Sequence, residues 1–425
     1  MKNPRVFIGL REVAGYFSNL KKGFEEIGVN CAFLNLGGNP FNYDLGKNPK
    51  WIKGLNFIAE KAGPKHSKNF ILRFIWLLTF QKFFGFFAFF IAIFRYDVFI
   101  FGSNSTFFFF IDYLILKLMR KKIICVYLGS DARPVFLNGY AFTGKGNATI
   151  IRIITRLQKS IINFSESFSD ISINHPPSAQ FHKKEFVKSI SIGIPTLVTS
   201  LKAKPAINKK IKIIHCPSKD LPKGSHLFAE IIQRLNLKYD IEYIKASGIP
   251  HQEVLNLIST ADIALDEFYS DTPLAVFASE CASQKVPVVV GSYYINDIKS
   301  DYNEKTLPPS AFVHPNDIEK TIEELILDQE KRKKLGEEAF SFVQNNWSAS
   351  TVAKRYIKLI NNDYPNEWIY NPNNNKYLYG CGLSKEQLLI NLKKFSKGKK
   401  GSNVFFLKDK PLINDEYLKI INEKK

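Results

Sequence analysis

Twice along this chain, short unbroken apolar strands alternate with amphipathic helices, and the alternation lapses once in between. A strand with no polar face must lie in a parallel sheet that helices cover on both sides. Residues 5–10 (RVFIGL), 29–38 (VNCAFLNLGG), 96–103 (YDVFIFGS), 121–131 (KKIICVYLGSD) and 169–177 (SDISINHPP) read as such strands. Helices fall between them, one closing near Gly28 and one over residues 107–119. Residues 193–208, rich in Pro, Thr and Lys, read as a linker. The pattern then restarts, with strands IKIIHCPS, IEYIKAS, DIALDE and VPVVVGS and helices KGSHLFAEIIQRL, PHQEVLNLISTA and PLAVFASECASQ between them. The expected fold is α/β: two Rossmann-like doubly wound domains, 1–195 and 209–345, facing across a cleft. A helix over 346–362 packs back on the first domain, and 363–425 is a basic C-terminal extension. A chain of 425 residues agrees, being too long for one ordinary core.

Lys and Arg number 59 against 39 acids, a net charge of +20, which favours anionic partners. Residues 61–96 carry six cations, no acid and many Phe. Arg73 and Lys82 leave only the twelve residues 83–94 uncharged, too few to span a bilayer. The segment reads as a helix lying on an anionic membrane or facing the sheet of its domain, or each with a different face, with a transmembrane helix as the third reading. Residues 391–425 hold ten Lys against four acids and read as a solvated or membrane-binding appendage. No zinc or RNA-binding motif is present, so nucleic acid is not an expected partner. Five scattered cysteines and a start without a signal-peptide pattern fit a cytoplasmic protein, peripheral on the inner membrane face.

Ligands of doubly wound sheets bind at the carboxyl ends of the strands. Several turns of the second domain end there. One opens a helix near Pro273, and free amides around Leu274, Ala275 and Val276 suit a diphosphate. Glu280 lies two turns further on; a buried carboxylate needs partners, and two ribose hydroxyls would supply them. The turn HCPSKDLPKGS brings Ser218, Lys219, Lys223 and Gly224 to a second helix start. SGIPHQE brings His251 to a third. Together they suit a nucleoside diphosphate. In the first domain, Asp131 and Arg133 of GSDARP face sugar hydroxyls or an acceptor phosphate, with Asp131 alternatively capping its own turn. Gly15 lets an acceptor approach the backbone or serves only as a turn glycine. His215 reads as a hydrogen-bonded structural residue and His175 as turn chemistry.

The succession HCPSKDLPKG, SGIPHQEVLNLISTADIALDEF, TPLAVFASECASQKVPVVVGS is similar to the C-terminal domain of retaining glycosyltransferases of the GT-B fold. That group includes bacterial enzymes of lipopolysaccharide and capsule synthesis. The resemblance covers residues 211–360; over 1–200 it rests on strand order and YLGSDARP. It implies that Glu280 binds the donor ribose and Lys223 the phosphates. The first acid of the group's E-x7-E pair falls on Thr272, beside Asp271. Its arginine falls on Asp220, beside Lys219, and its first-domain histidine on Leu128. The implied activity is hexosyl transfer from a UDP- or GDP-sugar to a cell-surface glycan or lipid-linked acceptor, with retention. Asp131, Lys219 and Lys223 are the catalytic candidates. No cofactor is implied, and no Asp-x-Asp occurs to hold a metal. The competing expectations are an inactive scaffold of the same fold and a sugar-nucleotide epimerase.

Overall fold

The computed structural model describes residues 3–39, 41–62, 72, 75, 79, 81–103, 105–129, 131–142, 146–198, 210–396 and 407–422. Arg73 and most of residues 63–80 lie outside these, as does 199–209 of the expected linker. Among the described residues, the first sheet runs β12-β6-β5-β4-β3-β1-β2. Its strands are β1 (Val6–Leu10), β2 (Cys31–Asn35), β3 (Val98–Gly102), β4 (Lys122–Val126), β5 (Ile171–Asn174), β6 (Phe186–Lys188) and β12 (Ile369–Tyr370). All pair in parallel except β12, which joins β6 antiparallel. The second sheet is wholly parallel, in the order β11-β10-β9-β7-β8. It contains β7 (Ile211–His215), β8 (Ile241–Lys245), β9 (Ile263–Leu265), β10 (Val288–Gly291) and β11 (Ala311–Val313).

The period of two along each strand divides the core into opposite faces. Val6, Ile8, Val98 and Ile100 pack with Phe17, Leu20 and Phe24 of helix α1 (Tyr16–Glu26). Phe7, Phe99 and Phe101 pack on the other face, with Phe89 of α2 (Lys82–Arg95) and Tyr113 of α3 (Ile111–Leu118). A long helix, α4 (Ala148–Phe168), follows β4. In the second domain Ile213, Ile263 and Val289 meet Phe228 and Ile231 of α5 (Ser225–Leu235). Ile214, Ala264 and Val288 meet the side of the sheet that carries Ala278 and Cys281 of α7 (Val276–Ser283), with α6 (His251–Ser259) beside it.

The chain returns to the first domain through α8 (Ala349–Asn361). Its Val352, Ala353 and Tyr356 enter the α1 core, and the backbones come so close that a Cβ on Gly23 would lie 2.0 Å from the Ala349 oxygen. The segment after it is not a solvated extension. Tyr377, Leu378, Cys381 and Leu383 are buried, and α9 (Lys385–Ser396) places Leu388, Leu392 and Phe395 in the first-domain core. A last helix, α10 (Pro411–Asn422), adds Ile413 and Tyr417 to the same core.

Candidate functional site

Turns after β4, β5, β7 and β9 converge on a cavity of about 450 Å³ between the two domains. Ser218, Lys223, Asp271, Thr272, Leu274 and Ala275, singled out from the sequence, all line it; Pro273 is buried behind them. Helix α7 starts at Val276 rather than near Pro273, because Ala275 is extended, with ψ at −174°, and the Ser270 hydroxyl binds Thr272 N and O into a tight turn. No side chain caps α7, so its first amides are open at the cleft.

Glu280 lies on α7 and is buried. Its Oε1 is 2.6 Å from His251 Nε2, and its Oε2 has no hydrogen-bond partner among the described residues. Burial raises its carboxyl, against the His251 hydrogen bond. The loop after β2 closes over the pair: Phe41 O accepts from His251 N, and the Tyr43 ring sits 4.7 Å from the imidazole.

The Lys223 ammonium lines the cavity, yet it is 2.7 Å from Asp266 Oδ1 and 3.6 Å from Glu267 Oε2. Burial opposes its charge, but the two carboxylates together raise its pKa. Lys219 is freer. Its Nζ reaches across the cleft to Tyr140 O at 3.0 Å, within an exposed rim. Gly224 at φ +71° ends the short turn at Lys223; a Cβ there would lie 2.4 Å from Phe268 Cβ.

Three expected contacts fall elsewhere. Arg133 does not face an acceptor: its side chain is wholly enclosed, with Nη1 2.6 Å from Asp271 Oδ2 and Nη2 on the carbonyls of Leu378 and Tyr379. Asp131 caps its own turn, accepting from Leu128 N at 2.9 Å, and burial pushes its carboxyl up to about 6. Leu128 and Gly129 of the same turn line the cavity. At Gly15 the φ of +83° accompanies a close approach of the Tyr43 ring, which would lie 2.9 Å from a Cβ there. The amides of Phe17 and Ser18, at the start of α1, are occupied by Glu12.

Several cavity residues carry no sequence signal. Tyr140 donates to Glu267 at 2.5 Å. Cys381 arrives from the C-terminal segment; its N donates to Asp271 Oδ1 and its O accepts from Gly139 N. His175 Nε2 donates to Asp271 O at 2.7 Å, so its Nδ1 accepts from Tyr302 Oη at 3.0 Å. Burial holds this imidazole neutral, at about 4. His215 is a buried strut: Nδ1 donates to Leu265 O, and Nε2 accepts from Ser225 Oγ.

No family model and no curated protein matches the chain. Among solved structures, HepE of Anabaena in complex with UDP-glucose is similar, with 11% identity over 84% of this chain and 99% of that one, and a TM-score of 0.51. The complex of HepE with UDP and glucose matches at 10% identity over the same shares, also at 0.51. WaaG, a glycosyltransferase involved in lipopolysaccharide biosynthesis, matches at 11% identity over 84% and 99%, with a TM-score of 0.47. The likeness to HepE speaks for architecture alone, and it agrees with the two facing sheets: the chain has the GT-B fold.

Proposed function

We propose that the protein is a glycosyltransferase that moves a hexose from a UDP- or GDP-sugar to a glycan or lipid-linked acceptor, with retention and without a metal. The observation that carries this reading is the carboxylate of Glu280, buried at the strand-end edge with one oxygen still open, beside the uncapped start of α7. A ribose hydroxyl suits that oxygen, and a diphosphate suits the α7 amides and Lys219. HepE, which shares the fold, has been captured with UDP and with UDP-glucose.

In this reading Lys223 offsets Asp266 and Glu267, which would otherwise repel the diphosphate. Lys219 leaves Tyr140 O and stabilises the charge that grows on the leaving phosphate. The C1–oxygen bond to the diphosphate breaks, the acceptor oxygen bonds C1 on the same face, and the acceptor proton passes to the departing phosphate oxygen. Asp131 and Arg133 act by shaping the cleft wall.

The acceptor belongs to a membrane surface. Phe83, Phe87 and Phe94 of α2, Ile111 and Leu118 of α3, and Ile150, Ile153, Ile154 and Leu157 of α4 are exposed, Phe94 at 69% and Leu118 at 75%. Phe107 to Phe110 join the three helices, through ring contacts to Phe86, Phe89 and Phe164. Lys82, Arg95, Lys117, Arg152 and Arg156 belong to the same three helices, Lys117 paired with Asp170, a composition that favours the anionic inner leaflet. Among the described residues, no helix is long and apolar enough to cross a membrane.

Calorimetric titration with UDP and GDP tests the site. The wild type binds one of them, and Glu280→Gln and Lys219→Ala each weaken binding by about tenfold or more, as expected for a lost charge-assisted contact. Wild-type affinity in both variants would place the nucleotide elsewhere.

A further inference from the structure

A second cavity, of about 190 Å³, lies beside the two crossings of the chain between domains. Ile190 and Trp347 line both this cavity and the cleft, and so form the partition between them. Its remaining wall carries Lys188, Lys305 and Arg355 against a single acid, Glu367.

Two of these cations are incompletely satisfied. Arg355 donates from Nη1 to Ile192 O at 2.9 Å, and Lys188 from Nζ to Asp301 O at 2.5 Å. Neither makes an ion pair or a second hydrogen bond among the described residues, although Lys188 Nζ also lies 5.0 Å over the Tyr302 ring. Burial disfavours the charge on both. Other enclosed cations among the described residues are more fully met, Lys223 by Asp266, Arg133 by Asp271 and Lys21 by Glu25, while Lys122 and Lys410, without an ion pair, each bond two or more carbonyl and amide oxygens. Asp301 and Glu367 favour the charge of Lys188 in part, while no carboxylate does so for Arg355, and an anion between the two cations offsets the cost of partly desolvating them.

We propose that this cavity is a second ligand site, for a small phosphate-bearing anion held between Lys188 and Arg355 and packed against Trp368. Its volume is below the roughly 300–1,000 Å³ of sites for drug-sized ligands, which leaves room for a phosphate on a small carrier and not for a nucleotide. Ser191, Thr306 and Asn346 add neutral donors to the wall. A polar route also joins the site to the cleft. Tyr302 lines it, and the Tyr302 hydroxyl bonds His175, whose other nitrogen bonds Asp271 O in the cleft wall.

The test is calorimetric titration with inorganic phosphate at constant ionic strength. The wild type binds it saturably at one site. Lys188→Gln and Arg355→Gln weaken that binding about tenfold or more, while Lys219→Ala, in the cleft, leaves it unchanged. Melting temperatures identify a variant that fails to fold; should Arg355→Gln do so, Lys188→Gln decides alone. The absence of saturable binding overturns the proposal. So does binding that is lost in Lys219→Ala and kept in the Lys188 variant, which would place the phosphate in the cleft. Neither result bears on whether the cleft takes a nucleotide sugar.

Discussion

Two buried histidines are held neutral, His175 and His215, each pushed down to about 4 by desolvation. Between pH 6.5 and 4 the unfolded chain takes up protons that the folded one refuses, so stability falls as pH falls. Asp131 and Asp271 act in the opposite sense. Burial lifts both, Asp131 to about 6 and Asp271 against the pull of Arg133, so in part of that window the folded chain keeps protons that the unfolded one has released. A difference measurement isolates one group. Chemical denaturation at pH 7 and at pH 4 should show wild type losing about 3 kcal/mol more than His175→Gln, because each tenfold change in proton affinity is worth about 1.36 kcal/mol. Equal losses would mean that His175 is not a buried neutral link to Asp271. At this scale the sequence is partly legible. Glu280 stands out as a lone carboxylate in an apolar helix. Arg133 misleads, since its turn lies at a strand end but its guanidinium runs inward to Asp271, which is remote in sequence. Glu267 looks like any turn acid until Lys223 and Tyr140 are brought against it.

Helices α2, α3 and α4 each bury one face and leave the other apolar. On α4, Ile150, Ile153, Ile154 and Leu157 recur at helical spacing on the outside, while Thr155 and Ile162 point in. Burying one such side chain is worth about 1.5–3 kcal/mol, so two outweigh most single surface charges. Flotation with liposomes that contain anionic lipid should therefore retain the wild type, weaken but persist in high salt, and fall about tenfold or more in an Ile153→Ser, Leu157→Ser double variant. Equal flotation of wild type and variant would detach this face from the membrane. The Phe-rich segment is visible from composition and charge. The α4 stripe is not, because its cations hide a pattern that only the exposed face reveals. The C-terminal segment reads as solvated for a related reason: its partners are distant in the chain, as where Asn391 bonds Phe136 O and Arg152 bonds Phe395 O.

Across the whole molecule, the two sheets meet at the carboxyl ends of their strands, and the C-terminal segment fastens them there. Arg133 and Gly139 of the first domain and Tyr269 and Asp271 of the second all bond the stretch 378–382. The strand–helix alternation foretells the sheets and the cleft, since buried parallel strands admit little else. It cannot foretell the fastening, which depends on contacts between loops. The central claim is that this cleft transfers a sugar with retention. Proton NMR of the reaction between a UDP- or GDP-sugar and a membrane-lipid extract, run with EDTA, tests it most directly. An α-linked donor should yield free nucleoside diphosphate and an α-linked glycolipid at an unchanged rate in the chelator. A β-linked product, a dependence on added manganese, or an epimerised donor without transfer would contradict it.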